Sequence, residues 1–148
     1  TVRTMKGFTW VKFNPLAEKH INKALQAGRV EDFYDFLDLL NAQTRMNGGN
    51  YTRANTEDLL IATRGKGLER KCASIKQVIY SPLGEHSQKP AEARFRLEKL
   101  YGDVPRIELF SRCGAPGWDH WGNQSESPAV ELIPAVAVPM KKQQERAA

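Results

Sequence analysis

The chain has little cysteine and no motif that would use it. Cys72 and Cys113 are the two cysteines among 148 residues, and neither belongs to a Cys-x-x-Cys pair or stands near a cluster of histidines. Structural zinc sites need such ligands at close spacing, so a zinc site is not predicted. The composition instead predicts a reduced, cytoplasmic setting.

Membrane and nucleotide-binding signals are also missing. No apolar run approaches the roughly 18 residues that a membrane span requires, and the first residues lack the regions of a signal peptide. Arg64-Gly65-Lys66-Gly67 is basic and glycine-rich but lacks the spacing of a phosphate-binding loop, which excludes nucleoside triphosphate binding there. The sequence opens at Thr1 and soon enters an apolar segment, so we expect it to begin inside a larger protein or at a processed terminus.

The residues that are present suit one domain of ordinary size. Hydrophobic residues make up 41% of the chain and charged residues 26%, which is enough to build a core and keep the surface polar. The net charge is +5 and the isoelectric point about 9.3. This balance favours anionic partners, and nucleic acid is the commonest of these for a small basic protein.

Hydrophobic periodicity predicts an α/β fold, a sheet with helices covering its faces. A helical pair is expected between Leu16 and Gln43, broken at Gly28, and a helix from about Pro90 to Gly102. The strands are expected at 7–13, 59–63, 75–80 and 106–112. From about residue 125, three prolines and a charged end predict an extended or disordered tail.

The second helix of the pair carries an apolar stripe. Phe33, Phe36, Leu37 and Leu40 recur at helical spacing among acidic residues. The acidic residues argue against a DNA-recognition helix, which should present basic or amide side chains. We interpret the stripe as core, and the alternative is a surface that docks a partner.

A polar loop follows between residues 44 and 56, rich in glycine, asparagine and arginine. Loops of this length without their own structure are often functional or mobile. Tyr51 could stack on a base while Arg45 and Arg53 meet phosphates. The alternative interpretation is a disordered connector.

The stretch from Arg106 to Gln124 is a strand that ends in a turn. Strand-like alternation up to Arg112 gives way to glycines and a proline, and the pairs Trp118/Trp121 and Asn123/Gln124 follow. The sequence leaves two interpretations open, a ligand-recognition turn and a tryptophan-rich corner of the core.

Five blocks of sequence, taken in order, resemble the C-terminal half of MT-A70-type adenine N6-methyltransferases. They are Trp10-Val11-Lys12 with Asn14, Gly49-Asn50-Tyr51 with Glu57 and Arg64-Gly65, His86-Ser87-Gln88-Lys89-Pro90, Ile107-Glu108-Leu109-Phe110-x-Arg112, and Gly117-Trp118-x-x-Trp121-Gly122-Asn123-Gln124. The resemblance spans residues 7 to 124, and 16–43 looks like a helical insertion. It implies a partial methyltransferase domain over 1–124, followed by the tail at 125–148.

The resemblance implies a Rossmann-like fold that uses S-adenosylmethionine to methylate the exocyclic amine of adenine in nucleic acid. DNA is expected rather than RNA, because the compact form resembles the phage and bacterial DNA-modifying members. The implied cofactor contacts are Lys89 at the methionine carboxylate, with Arg112, Asn123 and Gln124 at the ribose hydroxyls. The implied substrate contacts are Lys12, Asn50, Tyr51, Arg53 and Glu57.

The family's catalytic motif, Asp-Pro-Pro-Trp, is not in this sequence, which contains no Pro-Pro pair. Asn14-Pro15 does not replace it, because it follows the Trp-Val-Lys strand and the motif precedes that strand in the family. Cys113-Gly114 stands where some relatives carry histidine. We therefore expect the C-terminal part of a methyltransferase, inactive alone and dependent on a missing N-terminal half or a second polypeptide. The alternative is a non-catalytic subunit that binds nucleic acid.

Overall fold

The computed structural model describes residues 2–85 and 88–125, so the tail predicted beyond residue 125 lies outside the described residues. Its elements, in order, are β1 (Val2–Phe13), α1 (Ala17–Gln26), α2 (Phe33–Ala42), β2 (Thr56–Arg64), β3 (Val78–Pro82), α3 (Ala91–Tyr101), β4 (Ile107–Leu109) and β5 (Asp119–Trp121). The described residues divide into two compact units, with the boundary between Val104 and Pro105. The mixture of helices and small sheets confirms the α/β class.

The first unit is built on a three-stranded sheet with β1 in the middle. β2 runs antiparallel to β1 along most of its length, whereas β3 lies parallel to its second half. The register with β2 shifts between Lys6 and Phe8, which places a bulge at Gly7. A side chain at Gly7 would lie 2.7 Å from the Ile61 side chain and 3.0 Å from the Leu59 carbonyl oxygen, so a larger residue would force Ile61 to shift.

The core lies between β1, β3 and α3. Phe8, Trp10, Ile79 and Ala93 are buried together. The indole nitrogen of Trp10 donates a hydrogen bond to the carbonyl of Ser81 at 2.8 Å, which pairs its polar atom inside the apolar cluster. Four half-buried side chains complete the packing: Leu59, Ile75, Leu83 and Leu97.

Local signals set the helix ends as predicted. Gly28 has a positive φ of 64° after α1, and Gly102 one of 73° after α3, a conformation that glycine adopts without strain. Pro90 lies directly before α3. The Asp32 carboxylate caps α2 by accepting hydrogen bonds from the backbone N–H groups of Tyr34 and Asp35.

The interpretation of the α2 stripe as core is wrong. α2, which the structure describes over its whole length, buries none of its residues. Phe33 is 67% exposed and Leu37 42% exposed, whereas Phe36 and Leu40 are half-buried. The spacing of hydrophobic residues indicates that a helix has an apolar face, but this face is buried only if another element packs against it. The exposed stripe fits the alternative of a partner-docking surface, but nothing in the structure shows which partner covers it.

Each of the four predicted strands is present, but the residues at which the strands begin and end differ from the prediction. β1 begins five residues before the predicted segment 7–13, and β3 lies three residues later than 75–80 at its start. The strand predicted at 106–112 stops at Leu109, because Phe110 has a φ of 60°, which extended backbone does not allow. β4 joins the unpredicted strand β5 in a separate parallel sheet. None of the helices within residues 2–85 and 88–125 has the length and apolarity to cross a membrane.

Candidate functional site

The carboxyl ends of β1 and β3 meet at one edge of the first sheet, where Phe13 pairs with Pro82. β2 starts at the same edge, because its Thr56 pairs with Val11 in the antiparallel direction. This carboxyl edge is where ligands collect in open α/β sheets. Three of the residues assigned by resemblance lie there.

Those three residues form a charged cluster at the carboxyl edge. The Glu57 carboxylate lies between two ammonium groups: its Oε2 is 3.9 Å from Lys12 Nζ, and its Oε1 accepts a hydrogen bond from Lys89 Nζ. The Lys12 side chain is 8% exposed, whereas those of Glu57 and Lys89 are 37% and 51% exposed. Lys12 is therefore a buried cation held against a carboxylate, and Lys89 is a cation at the surface.

Burial of Lys12 follows from the alternation along β1. Phe8, Trp10 and Lys12 lie on one face of the strand after the bulge, and all three are buried. An ammonium group taken out of water needs a compensating charge or hydrogen bonds, which Glu57 supplies in part. The two-residue spacing of Trp10 and Lys12 on a strand is the sequence signal for this burial.

The loop between α2 and β2 is anchored to the end of β1. Backbone N–H groups of Arg45 and Lys12 donate to the carbonyls of Lys12 and Asn55 at 2.7 and 3.0 Å, and Asn47 N–H donates to Ala54 at 2.7 Å. The base of the loop is thus hydrogen-bonded, unlike a disordered connector. The predicted substrate residues Asn50, Tyr51 and Arg53 stand at its exposed tip, and the Tyr51 ring is fully accessible.

The second unit presents the other predicted residues after two parallel strands. Ser111 N–H donates to the Trp121 carbonyl at 2.9 Å, so the chain leaving β4 lies beside the chain leaving β5. Arg112 follows the first contact and is half-buried. Asn123 and Gln124 follow the second, and both are exposed. The structure therefore places all three after the carboxyl ends of this small sheet.

The tryptophans of the second unit pack against neighbours within it. The Phe110 ring meets Trp121 edge-to-face with centroids 5.6 Å apart, and the Arg106 guanidinium lies 5.7 Å from the Trp118 ring centroid. Both indoles are half-buried. The tryptophans therefore form a packed corner, as one of the two interpretations expected, and the amides beyond them are accessible. The interpretation as a ligand-recognition turn stays a prediction.

Gly122 is required where the two strands leave the small sheet. A Cβ at this position would lie 2.0 Å from the Ser111 carbonyl oxygen, a backbone atom that cannot move aside alone. We expect Gly122→Ala to open the pairing of β4 with β5, and overpacking of this kind costs about 1–3 kcal/mol. The measurement is hydrogen exchange at the Ser111 amide, which should lose protection.

Gly48→Ala is the control, because a Cβ there meets nothing within 4 Å. It should leave Ser111 exchange unchanged. Equal protection of Ser111 in the Gly122→Ala variant and the unmodified protein would show that the backbone accommodates the methyl group.

Of the sequence blocks, His86 and Ser87 lie outside the described residues. β5 and the positive φ of Phe110 were missed from the sequence. A three-residue strand beside a turn has too few residues for alternation to show, and phenylalanine rarely adopts a positive φ.

Comparison with known proteins identifies the family. The model of the MT-A70 family matches residues 38–124, which include Glu57, Lys89, Arg112 and Asn123. A Type II methyltransferase, M.MunI from Mycoplasma sp, is 32% identical over 87 residues, which is 58% of this chain and 37% of that protein. The chain thus spans little more than a third of that relative's length. With more than half of its sequence matched, the chain belongs to the MT-A70 family of methyltransferases.

Proposed function

We propose that this chain is the C-terminal part of an S-adenosylmethionine-dependent methyltransferase that modifies the N6 amine of adenine in DNA. Membership of the MT-A70 family supports methyl transfer, and the similarity to a Type II methyltransferase supports the same activity. In this proposal the described elements are part of a Rossmann-like fold. DNA is preferred to RNA because of the resemblance to compact phage and bacterial members.

The observation that carries the proposal is the position of Lys89 at the carboxyl edge. Its ammonium group is half-exposed and already holds a carboxylate, that of Glu57. The methionine carboxylate of the methyl donor has the same chemistry, so Lys89 fits the role that the family resemblance gives it. Asn123 and Gln124 fit theirs, because exposed amides offer both donors and acceptors to a ribose diol.

S-Adenosylmethionine, when bound, supplies the methyl group for an in-line displacement, a reaction that needs positioning more than proton transfer. The residues of this chain provide parts of that positioning. In the proposal Lys89 fixes the carboxylate, and Arg112, Asn123 and Gln124 fix the ribose. The exposed Tyr51 ring offers a stacking surface for a base, and Arg53 beside it offers a cation for phosphate.

The adenine amine must also be oriented, and the Asp-Pro-Pro-Trp motif that does this in the family is not part of this sequence. We propose that the chain alone does not transfer methyl groups and that another segment or polypeptide supplies the motif. Transfer of labelled methyl groups to adenine-containing DNA by the purified chain alone would refute this part of the proposal.

Calorimetry with S-adenosylmethionine tests the cofactor assignments. We expect Lys89→Ala to weaken donor binding by about 10-fold or more, because hydrogen bonds to charged groups contribute about 1.5–3 kcal/mol and a tenfold change is about 1.4 kcal/mol. Asn123→Ala should weaken it less, by about 2- to 10-fold, because a hydrogen bond between neutral groups contributes about 0.5–1.5 kcal/mol. Lys19→Ala, an exposed lysine on α1, is the matched control and should bind the donor as the unmodified protein does.

The calorimetry also separates the proposal from its alternative. Donor binding that is unchanged in the Lys89 and Asn123 variants would contradict the assigned sites. Salt-sensitive binding of oligonucleotides with no donor binding, in the protein that contains the whole domain, would instead identify a non-catalytic nucleic-acid-binding subunit.

A further inference from the structure

A concave surface lies at the opposite end of the first sheet from the carboxyl edge. It is a cleft of about 530 Å³ formed by the first half of β1, the second half of β2, the segment after β2 and the last turn of α3. We call it the basic cleft. Four cationic side chains line it: Arg3, Lys6, Lys66 and Arg70.

The charge of the basic cleft is of one sign. Within the part of the chain that the structure describes, its lining includes no aspartate or glutamate. Lys6 is engaged by the neighbouring Asp58 at 3.1 Å, and the pKa of that carboxyl is lowered, first by the Thr9 hydroxyl and then by Lys6. The exposed cations beside Lys6 are Arg3, Lys66 and Arg70.

Apolar side chains line the basic cleft beside the cations. Its apolar lining consists of Phe8, Ile61, Leu68, Ile75, Leu100 and Tyr101. Glycines at 65 and 67, with φ of 67° and 69°, turn the chain so that Lys66 lines the same cleft. A lining that combines cations with apolar and aromatic side chains suits a ligand that has both anionic and flat apolar groups, which describes a nucleotide unit.

Distance distinguishes this cleft from the carboxyl edge. Lys12 lies nine residues after Arg3 along β1, and at about 3.3 Å per residue this is roughly 30 Å. No single nucleotide reaches both places, but a duplex of about nine base pairs, at about 3.4 Å per step, does. A ligand that contacted both ends of the sheet would therefore have to be an extended polyanion.

We propose that the basic cleft binds the phosphodiester backbone of the nucleic acid at a distance from the base presented to the carboxyl edge. This inference rests on the proposed function for the identity of the polymer. Arg3, Lys66 and Arg70 neutralise phosphates there and hold the strand without reading its sequence. The contact gives the chain affinity for nucleic acid without a methyl donor.

Salt-dependent binding tests the proposal. Fluorescence anisotropy with a labelled duplex of about 25 base pairs, without methyl donor and between about 50 and 200 mM salt, gives the slope of log affinity against log salt. The triple variant Arg3→Gln, Lys66→Gln, Arg70→Gln should reduce the magnitude of this slope by about 2 to 3, because each phosphate contact contributes about 0.9. Its affinity at low salt should fall at least tenfold.

A second triple variant removes the same charge elsewhere. Lys19→Gln, Lys23→Gln, Arg29→Gln alters exposed cations on and after α1, outside the basic cleft, and should leave the slope within about one unit of its original value. Melting curves of both variants should match that of the unmodified protein. Equal losses in the two variants, or no loss in the first, would overturn the proposal.

Two further measurements separate the possible sources of the phosphate and the two proposals. Adenosine monophosphate added to the complex should not displace the duplex. Saturable binding of the free nucleotide by a protein that does not bind the duplex would overturn the proposal that the cleft contacts a strand. Donor calorimetry on the cleft variant should give unchanged binding. If the cleft variant loses duplex binding and the unmodified protein does not bind the donor, the cleft proposal stands and the proposed donor binding is rejected. If the cleft variant keeps duplex binding and the unmodified protein binds the donor, only the cleft proposal is rejected.

Discussion

Trp10→Ala is expected to lower the free energy of unfolding by about 3–5 kcal/mol, the range for removing a large aromatic side chain from a core. Trp10 is 2% exposed and packs in the cluster with Phe8, Ile79 and Ala93. The substitution leaves a cavity between the sheet and α3. It also removes the donor that pairs with the Ser81 carbonyl. Urea unfolding followed by circular dichroism measures the loss.

The stability losses of two further variants serve as comparisons for that of Trp10→Ala. Trp10→Phe keeps most of the ring but lacks the indole N–H, so it should cost about 1–3 kcal/mol. Tyr34→Ala removes an aromatic ring that is 74% exposed on α2, and it should change stability by less than about 0.5 kcal/mol. A cost for Trp10→Ala as small as that of Tyr34→Ala would mean that the described core does not hold the first unit together.

The elements that the sequence predicted well are those whose causes are local. Gly28, Gly102 and Pro90 act on the backbone at their own positions, so the helix ends follow from a few neighbouring residues. The start of β3 was misplaced because strand ends depend on pairing, and β3 begins where Val78 meets Thr9 of β1. That register joins residues far apart in the chain, and no local pattern records it.

In the candidate site, too, the single residues could be named from the sequence, whereas their contacts could not. Family resemblance named Lys12, Glu57 and Lys89 one by one, with Lys12 and Glu57 near the adenine and Lys89 at the cofactor. Their ion-paired cluster arises because β2 runs antiparallel and β3 parallel to β1, which brings three distant segments to one edge. The roles stay predictions. What the structure adds is that Glu57 and Lys89 contact each other, so a carboxylate ligand at Lys89 would have to share it with Glu57 or displace it.

Glu57→Gln is expected to lower the free energy of unfolding by about 2 kcal/mol. Glutamine keeps the size of the side chain but removes the charge that compensates the buried Lys12 ammonium. Breaking a fully buried pair costs about 3–5 kcal/mol, and the partial exposure of Glu57 reduces that figure. Adding Lys12→Met should recover most of the loss, because methionine fills the same space without a charge to solvate. Chemical unfolding of the two single variants and the double variant gives the coupling energy.

A second Lys–carboxylate pair on the same two strands provides the comparison. Lys6 and Asp58 approach more closely, at 3.1 Å against 3.9 Å for Lys12 and Glu57, but their side chains are 48% and 45% exposed. If distance alone set the energy, the Lys6→Met, Asp58→Asn cycle would show the larger coupling. Because solvent screens an exposed pair, we expect it to show less than about 1 kcal/mol and the Lys12, Glu57 cycle to exceed it. The reverse order would mean that Lys12 draws its compensation from groups other than Glu57.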